Sequence, residues 1–532
     1  MKSIKTLNLG FTDAENYKLK DNRDLQRKYF YKDFNLDKLL MSHVTFLIGE
    51  KGTGKTAYAV YLSNNEYKNT TSTINQIRES EYSRFYNLME AGKINISSYP
   101  EIWKVILLLL IIKNIKEQNI VQSLSSKIIN YFAIEEAIDE FYAGAFSPEI
   151  QTAINIIEES TLAAGLTHSK LKAEGLEKHS VNFSESRMQI NLLYLEKKFK
   201  ECISSIKLNK SHILFIDGID IRPGLIPFNN YLECIKGLVN AAWSLNIDFL
   251  CNTKSAGKMK VVLLLRPDIF HSLALHNSTN KLTDNSVFLD WRTTYPSYRS
   301  SAIFALTDRM LSAQQDLNLK VGEAWDAYFP YRLPATNPNR EYDNSFTSLL
   351  RYSFSRPRDV IRIMEIMRDR KVDSDKKSEF DEADFSKSDV LNDISEYLMG
   401  SIKDQLDFYY TPKEYESFKL FFIYLDGFFE FNYETYCKVY KKFISDKRVK
   451  NNHPSFFNSE VEFLQFLYEL NVLCYMDFND YNEPLFCYCY RERDLSNFHP
   501  KIKLDSTYKI HYGLRKALHL HKNDRSLYRN VR

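Results

Sequence analysis

The sequence is short of both chain breakers. Its 532 residues hold 16 glycines and 14 prolines, where an average chain has about 7% glycine and about 5% proline. Collagen-like, low-complexity and linker-dominated architectures are excluded on that count alone. Charge of one sign is also lacking: 71 Lys and Arg face 68 Asp and Glu, a formal net charge of +3. No global field favours nucleic acid or an anionic membrane, so either would need a local patch. Long hydrophobic runs are missing too. The longest, Val105 to Ile112 between Lys104 and Lys113, falls far short of the about 20 residues a bilayer needs and reads as a buried helix. Met1-Lys2-Ser3-Ile4-Lys5 lacks the apolar stretch of a secretory signal. Seven cysteines at irregular spacing do not form a disulfide framework. The expectation is a cytoplasmic, reduced protein with no membrane segment.

Metal-ligand spacing is thin as well. Cys474, Cys487 and Cys489 lie near His499, but no C-x-x-C knuckle or second His completes a tetrahedral set. Leu485 to Tyr490 alternates like a strand, which would put the sulfurs of Cys487 and Cys489 on one face. Buried free thiols are the simpler reading.

What is present is 44% hydrophobic residues and 26% charged ones, with 35 Tyr and 36 Phe. That is a globular chain rich in helix and packed aromatics, long enough for three to four domains at about 150 residues each. Three of the scarce glycines, Gly49, Gly52 and Gly54, fall within six residues.

They belong to Gly49-Glu50-Lys51-Gly52-Thr53-Gly54-Lys55-Thr56, which fits G-x-x-x-x-G-K-[ST] without a mismatch. The run His43 to Ile48 before it has strand character, and Lys55 to Glu66 after it has helical spacing. Strand, glycine loop and helix is the context in which this motif cradles phosphate. Glycines let backbone N–H groups turn inward, and the helix N-terminus adds positive potential. Lys55 is then expected at the β- and γ-phosphates, Thr53 in the cradle, and the Thr56 hydroxyl on Mg²⁺.

An acidic partner is expected on a neighbouring buried strand. Ile213-Leu214-Phe215-Ile216-Asp217 ends four apolar residues in a carboxylate suited to holding magnesium. The apolar run Val261 to Leu265 and two further candidate strands, Val287 to Trp291 and Thr71 to Ile77, complete a parallel sheet covered by helices on both faces, an α/β P-loop NTPase core. Ser353 to Ile361 opens a helix, with Ser355 as its cap and Pro357 in the first turn.

Taken together, residues 41 to 79 and 207 to 370 resemble a bacterial P-loop ATPase of the AAA/STAND-like, additional-strand group. The sequence departs from many of these at one point: Gly218, not glutamate, follows Asp217. Asp217-Gly218-Ile219-Asp220 resembles the D-G-x-D form of the STAND and NACHT-like branch, which implies that Asp220 activates water. Capping the turn before Arg222-Pro223-Gly224 is its other reading. The resemblance also implies that Arg266, at the tip of its strand, senses the γ-phosphate. Arg358, with Arg356 next, matches a second sensor reaching back from a lid helix. Arg292, Arg299 and Arg309 are candidates for an arginine supplied in trans. No L-S-G-G-Q run points to an ABC ATPase, and Asn252-Thr253-Lys254-Ser255 lacks the Asp that reads guanine. ATP with Mg²⁺ is therefore the expected ligand, in a nucleotide switch working with a protein partner or as a homo-oligomer. By the same resemblance the setting is bacterial defence.

The expected domains are an N-terminal segment (1–40), the ATPase core (41–310) with an α-helical insertion at about 78–207, a helical lid (311–395) and a winged-helix-like domain with a basic tail (396–532). The winged-helix reading rests on helices at Lys413 to Leu425, Tyr433 to Ile444 and from Ser459 to near Leu470. A hairpin of Val472 to Met476 with Leu485 to Arg491 follows. Lys371 to Asp389 is charged enough to be a linker. Glu460, Glu462 and Glu469 on the third helix disfavour major-groove reading. The tail from Ser496 carries nine Lys or Arg against Asp505 and Asp524. A nucleic-acid-binding motor or regulator is thus the alternative function, and a solvated basic tail the simpler account of those charges.

Overall fold

The computed structural model describes residues 1–77, 99–117, 206–224, 226–334, 342–406, 412–450, 458–478 and 484–522, with isolated positions at 82–90, 192–204 and 409. Most of the expected helical insertion, including Ser123 to Phe132 and Pro148 to Ser186, lies outside the described residues, as does the tail beyond 522. The chain divides into two compact units. One comprises Met1–Asp33, Gly49–Gly54 and Phe288–Arg532; the other comprises Phe34–Ile48 and Lys55–Val287.

The second unit is an α/β layer. Strands β1 (Phe46–Ile48), β2 (Thr70–Gln76), β3 (Ser211–Asp217), β4 (Met259–Leu265) and β5 (Ser286–Phe288) form a five-stranded parallel sheet in the order β2-β3-β4-β1-β5. Helices α1 (Lys55–Asn64), α2 (Tyr99–Glu117) and α3 (Phe228–Asp248) surround it. β4 is buried along its whole length, as expected of a strand covered on both faces. Val105 to Ile112 lies within α2 and is buried in this unit. α2 crosses α3 closely because Gly237 has no side chain: a Cβ there would stand 2.5 Å from the Tyr99 Cβ. Among the described residues, no helix is long and apolar enough to cross a membrane.

Two polar residues inside the sheet, His212 and Lys260, are well partnered. His212 on β3 bridges Thr71 and Thr73 of β2 at 3.1 Å each, and burial pushes its pKa down to about 4. Lys260 on β4 donates to the carbonyls of Leu39, Met41 and Val44 at 2.7, 2.6 and 3.2 Å. Three acceptors make a buried lysine tolerable where an apolar residue would be the default.

Two strands are shorter than their sequence suggests. Residues 43–45 precede β1, and β5 ends at Phe288 instead of continuing to Trp291. In addition, β4 stands between β1 and β3, so the acidic strand is not the direct neighbour of the glycine-loop strand. The expectation of adjacency is corrected on this point.

The first unit contains α4 (Ala302–Ser312), α5 (Pro357–Arg370), α6 (Ser388–Leu406), α7 (Pro412–Ile423), α8 (Tyr433–Ser445) and α9 (Glu460–Glu469). Its larger sheet is antiparallel and four-stranded: β6 (Glu430–Asn432), β7 (Leu473–Phe478), β8 (Pro484–Cys487) and β9 (Thr507–Ile510), in the order β8-β7-β9-β6. The β7–β8 hairpin was expected, while β6 and β9 were not. Ser459 caps α9, accepting from the Glu462 amide at 3.2 Å.

Residues 371–389 pack instead of linking. Lys371 is buried against Asp384, Phe380 stacks on Phe329, and Lys377 accepts from the Ile4 amide. Cys487 ends β8, but Cys489 opens a short helix, Cys489–Glu492. The two sulfurs therefore share no strand face.

Candidate functional site

In the second unit the site is built at the C-terminal end of β3 and the first turn of α1. The Thr56 hydroxyl donates to Asp217 Oδ2 at 2.7 Å, and the Gly218 amide donates to Asp217 Oδ1 at 2.8 Å. Burial raises the Asp217 pKa above the ordinary carboxylate value, and the nearby Asp220 carboxylate raises it further. The Thr56 hydroxyl, the Gly218 amide and Lys55 pull it back in part. A hydroxyl and a carboxylate offer hard oxygens, the donor type that suits magnesium. Among the described residues there is no cluster of three or more His, Cys, Asp and Glu fit to hold a metal on its own.

The geometry explains the glycine at 218. Its φ is +84°, and a Cβ would stand 2.4 Å from the Ile77 carbonyl oxygen. The Ile77 amide is itself bonded to the Asp217 carbonyl at 2.9 Å. The end of β2 thus occupies the space any side chain would need. Asp220 follows on the turn, and among the described residues its carboxylate accepts no hydrogen bond. The turn is tied by other groups: the Tyr231 hydroxyl bonds the Ile219 carbonyl at 2.6 Å, and Arg222 bonds the Ile226 carbonyl at 2.7 Å.

Arg266 lies at the tip of β4 as expected, 2% exposed. Its guanidinium grips Asp268 two residues on, through Nε at 3.1 Å and Nη2 at 2.5 Å.

In the first unit, the loop Gly49–Gly54 is bonded along its backbone. Gly52 and Gly54 have φ of +92° and +99°, which only glycine adopts freely. Arg356 Nη1 donates to the Lys51 carbonyl at 2.8 Å, the Arg358 amide donates to the Gly52 carbonyl at 3.3 Å, and Trp291 Nε1 donates to the Thr53 carbonyl at 2.8 Å. Both arginines of the expected sensor helix therefore meet the loop, Arg356 through its guanidinium and Arg358 through its amide. Arg356 is buried and its guanidinium touches the loop, held by Asp359 at 2.9 and 2.8 Å. The Arg358 side chain turns to the Thr12 carbonyl at 3.1 Å. Ser355 does not cap α5: it sits at φ +54°, Arg356 is the N-cap residue, and the Asp359 carboxylate accepts from the Phe354 amide at 2.9 Å.

The side chains of the loop are engaged as well. Glu50 pairs with Arg493 at 2.6 Å, Asn471 Nδ2 lies 3.5 Å from Glu50, and Lys51 pairs with Asp404 at 3.3 Å. A cavity of about 30 Å³, room for roughly one water, is left among Glu50, Thr53, Trp291, Phe354 and Arg493.

Trp291, Asp404 and Arg493 went unseen in the sequence. They lie 238 to 443 residues from their partners or outside any motif, and no local pattern marks such pairs. The three trans-arginine candidates all have partners within the chain. Arg292 holds Asp290, Arg299 holds Asp326 at 2.5 Å, and Arg309 donates to the Lys28 carbonyl at 3.0 Å. In the described part of the basic tail, Lys503 pairs with Asp477, Lys509 with Glu430 and Lys522 with Asp426. No family model matches the chain, and no curated protein is similar to its sequence.

Proposed function

We propose that this protein binds ATP and Mg²⁺ through Gly49–Thr56 and Asp217 and works as a nucleotide-dependent switch of the AAA/STAND-like type. Its output is coupling of nucleotide state to a protein partner or assembly. The observation carrying the reading is the 2.7 Å bond from Thr56, the last residue of the glycine motif, to Asp217. Two residues 161 apart in sequence meet at the strand ends, where α/β sheets take their ligands. The strand order supports it too: β4 is interposed between the glycine-loop strand and the acidic strand, the arrangement for which the additional-strand group is named.

In this reading Lys55 binds the terminal phosphates, while Thr56 and Asp217 supply oxygens to magnesium. Bound magnesium would neutralise charge developing on the β- and γ-phosphate oxygens. Glycine at 218 removes the usual carboxylate for orienting water, which leaves that role to Asp220. Long-lived nucleotide states suit a switch more than a fast motor.

The test is Lys55→Ala. Losing the contacts of a charged group with phosphate is expected to weaken ATP binding by about tenfold or more, read by titration calorimetry with a non-hydrolysable analogue. Wild-type affinity in that variant would overturn the proposal.

A further inference from the structure

The anion-binding loop proposed above carries a carboxylate of its own. Glu50 is the second residue of the motif and its side chain is only 13% exposed. A buried negative charge in a loop meant for phosphate opposes the ligand unless a cation cancels it. The neighbouring charges are already committed: Lys51 to Asp404, and Arg356 to Asp359 with its remaining donors on Lys51 and Ser401.

We propose that Arg493, 443 residues further along the chain, is a positioning residue for nucleotide binding that acts through Glu50. Arg493 is 4% exposed and meets the Glu50 carboxylate at 2.6 Å, while its other terminal nitrogen donates to the Cys489 thiol at 3.1 Å. Asn471 lies against the same carboxylate and also accepts from the Tyr490 amide at 2.9 Å. Residues from α9 onward thus hold Glu50 and cancel its charge. Nucleotide affinity then depends on the C-terminal region although Arg493 touches no phosphate-binding atom. This rests on the loop being a nucleotide site.

The experiment is a double-mutant cycle on affinity for a non-hydrolysable ATP analogue, using the full chain. Arg493→Ala leaves the Glu50 charge uncancelled and is expected to weaken binding on the order of tenfold. Adding Glu50→Gln removes that charge and should restore affinity to within about threefold of wild type. The Arg493→Ala deficit should also shrink as salt is raised. Wild-type affinity in Arg493→Ala overturns the inference. So does a double variant as weak as Arg493→Ala with far-UV circular dichroism like wild type, since the arginine would then be an anchor and not a charge partner. If the wild-type chain fails to bind the analogue, or Lys55→Ala binds it equally well, the nucleotide reading itself is lost.

Discussion

In the five-stranded sheet, β4 buries all seven of its residues and β3 buries five of seven, whereas in the four-stranded sheet β8 exposes three of four. The first kind of strand announces itself as an unbroken apolar run. The second kind is short, one-sided and assembled from distant segments: β9 pairs with β7 on one edge and with β6 on the other. A parallel sheet covered on both faces demands apolar side chains at every position, and a half-exposed antiparallel sheet demands them at every second one. Over three or four residues, as in β6 and β9, alternation carries almost no signal.

That contrast can be broken at one residue in each sheet. The largest effect is expected from Tyr508→Ala in β9. Tyr508 is fully buried, faces Phe431 and Tyr475 across the ladder, and donates to the Lys503 carbonyl at 3.0 Å. Truncating it should cost about 3–5 kcal/mol. Peptide-resolved hydrogen exchange should show protection lost in 430–432, 473–478 and 507–510. Unchanged protection there would mean that β9 does not hold the sheet together.

Gly218→Ala comes next, at about 2–4 kcal/mol from a positive φ and a forced contact with Ile77. Exchange should rise at the ends of β2 and β3, around Gln76 and Asp217. Wild-type stability in this variant would show that the site has room for a side chain at 218.

The smallest effect is expected from Ser459→Ala, which removes the cap of α9 and should cost about 1 kcal/mol by chemical denaturation. A loss as large as that of Tyr508→Ala would mean that a local signal governs the antiparallel sheet after all.

These differences track how far apart the interacting residues lie. The Ser459 cap reaches only three residues, and the helix it opens was legible. The glycine motif reaches eight, and its flanking strand and helix were legible with it. Asp217 was legible because an apolar run ends in a carboxylate. Arg356 and Arg358 were legible as a pair, but not which guanidinium meets the loop. Which guanidinium meets the loop depends on which one Asp359 can grip, and on a helix whose N-cap residue is Arg356, not Ser355.

The sequence by itself determined the glycine motif, the apolar strands of the parallel sheet and the shortage of glycine that made the loop conspicuous. Each is a local pattern, enforced by backbone geometry or by two-sided burial. Only the tertiary structure decided that β4 separates β1 from β3, that Gly218 is forced by the backbone of β2, and that Glu50 meets Arg493. Those outcomes depend on which distant groups share a few ångströms of buried space, and no pattern of neighbouring residues encodes that.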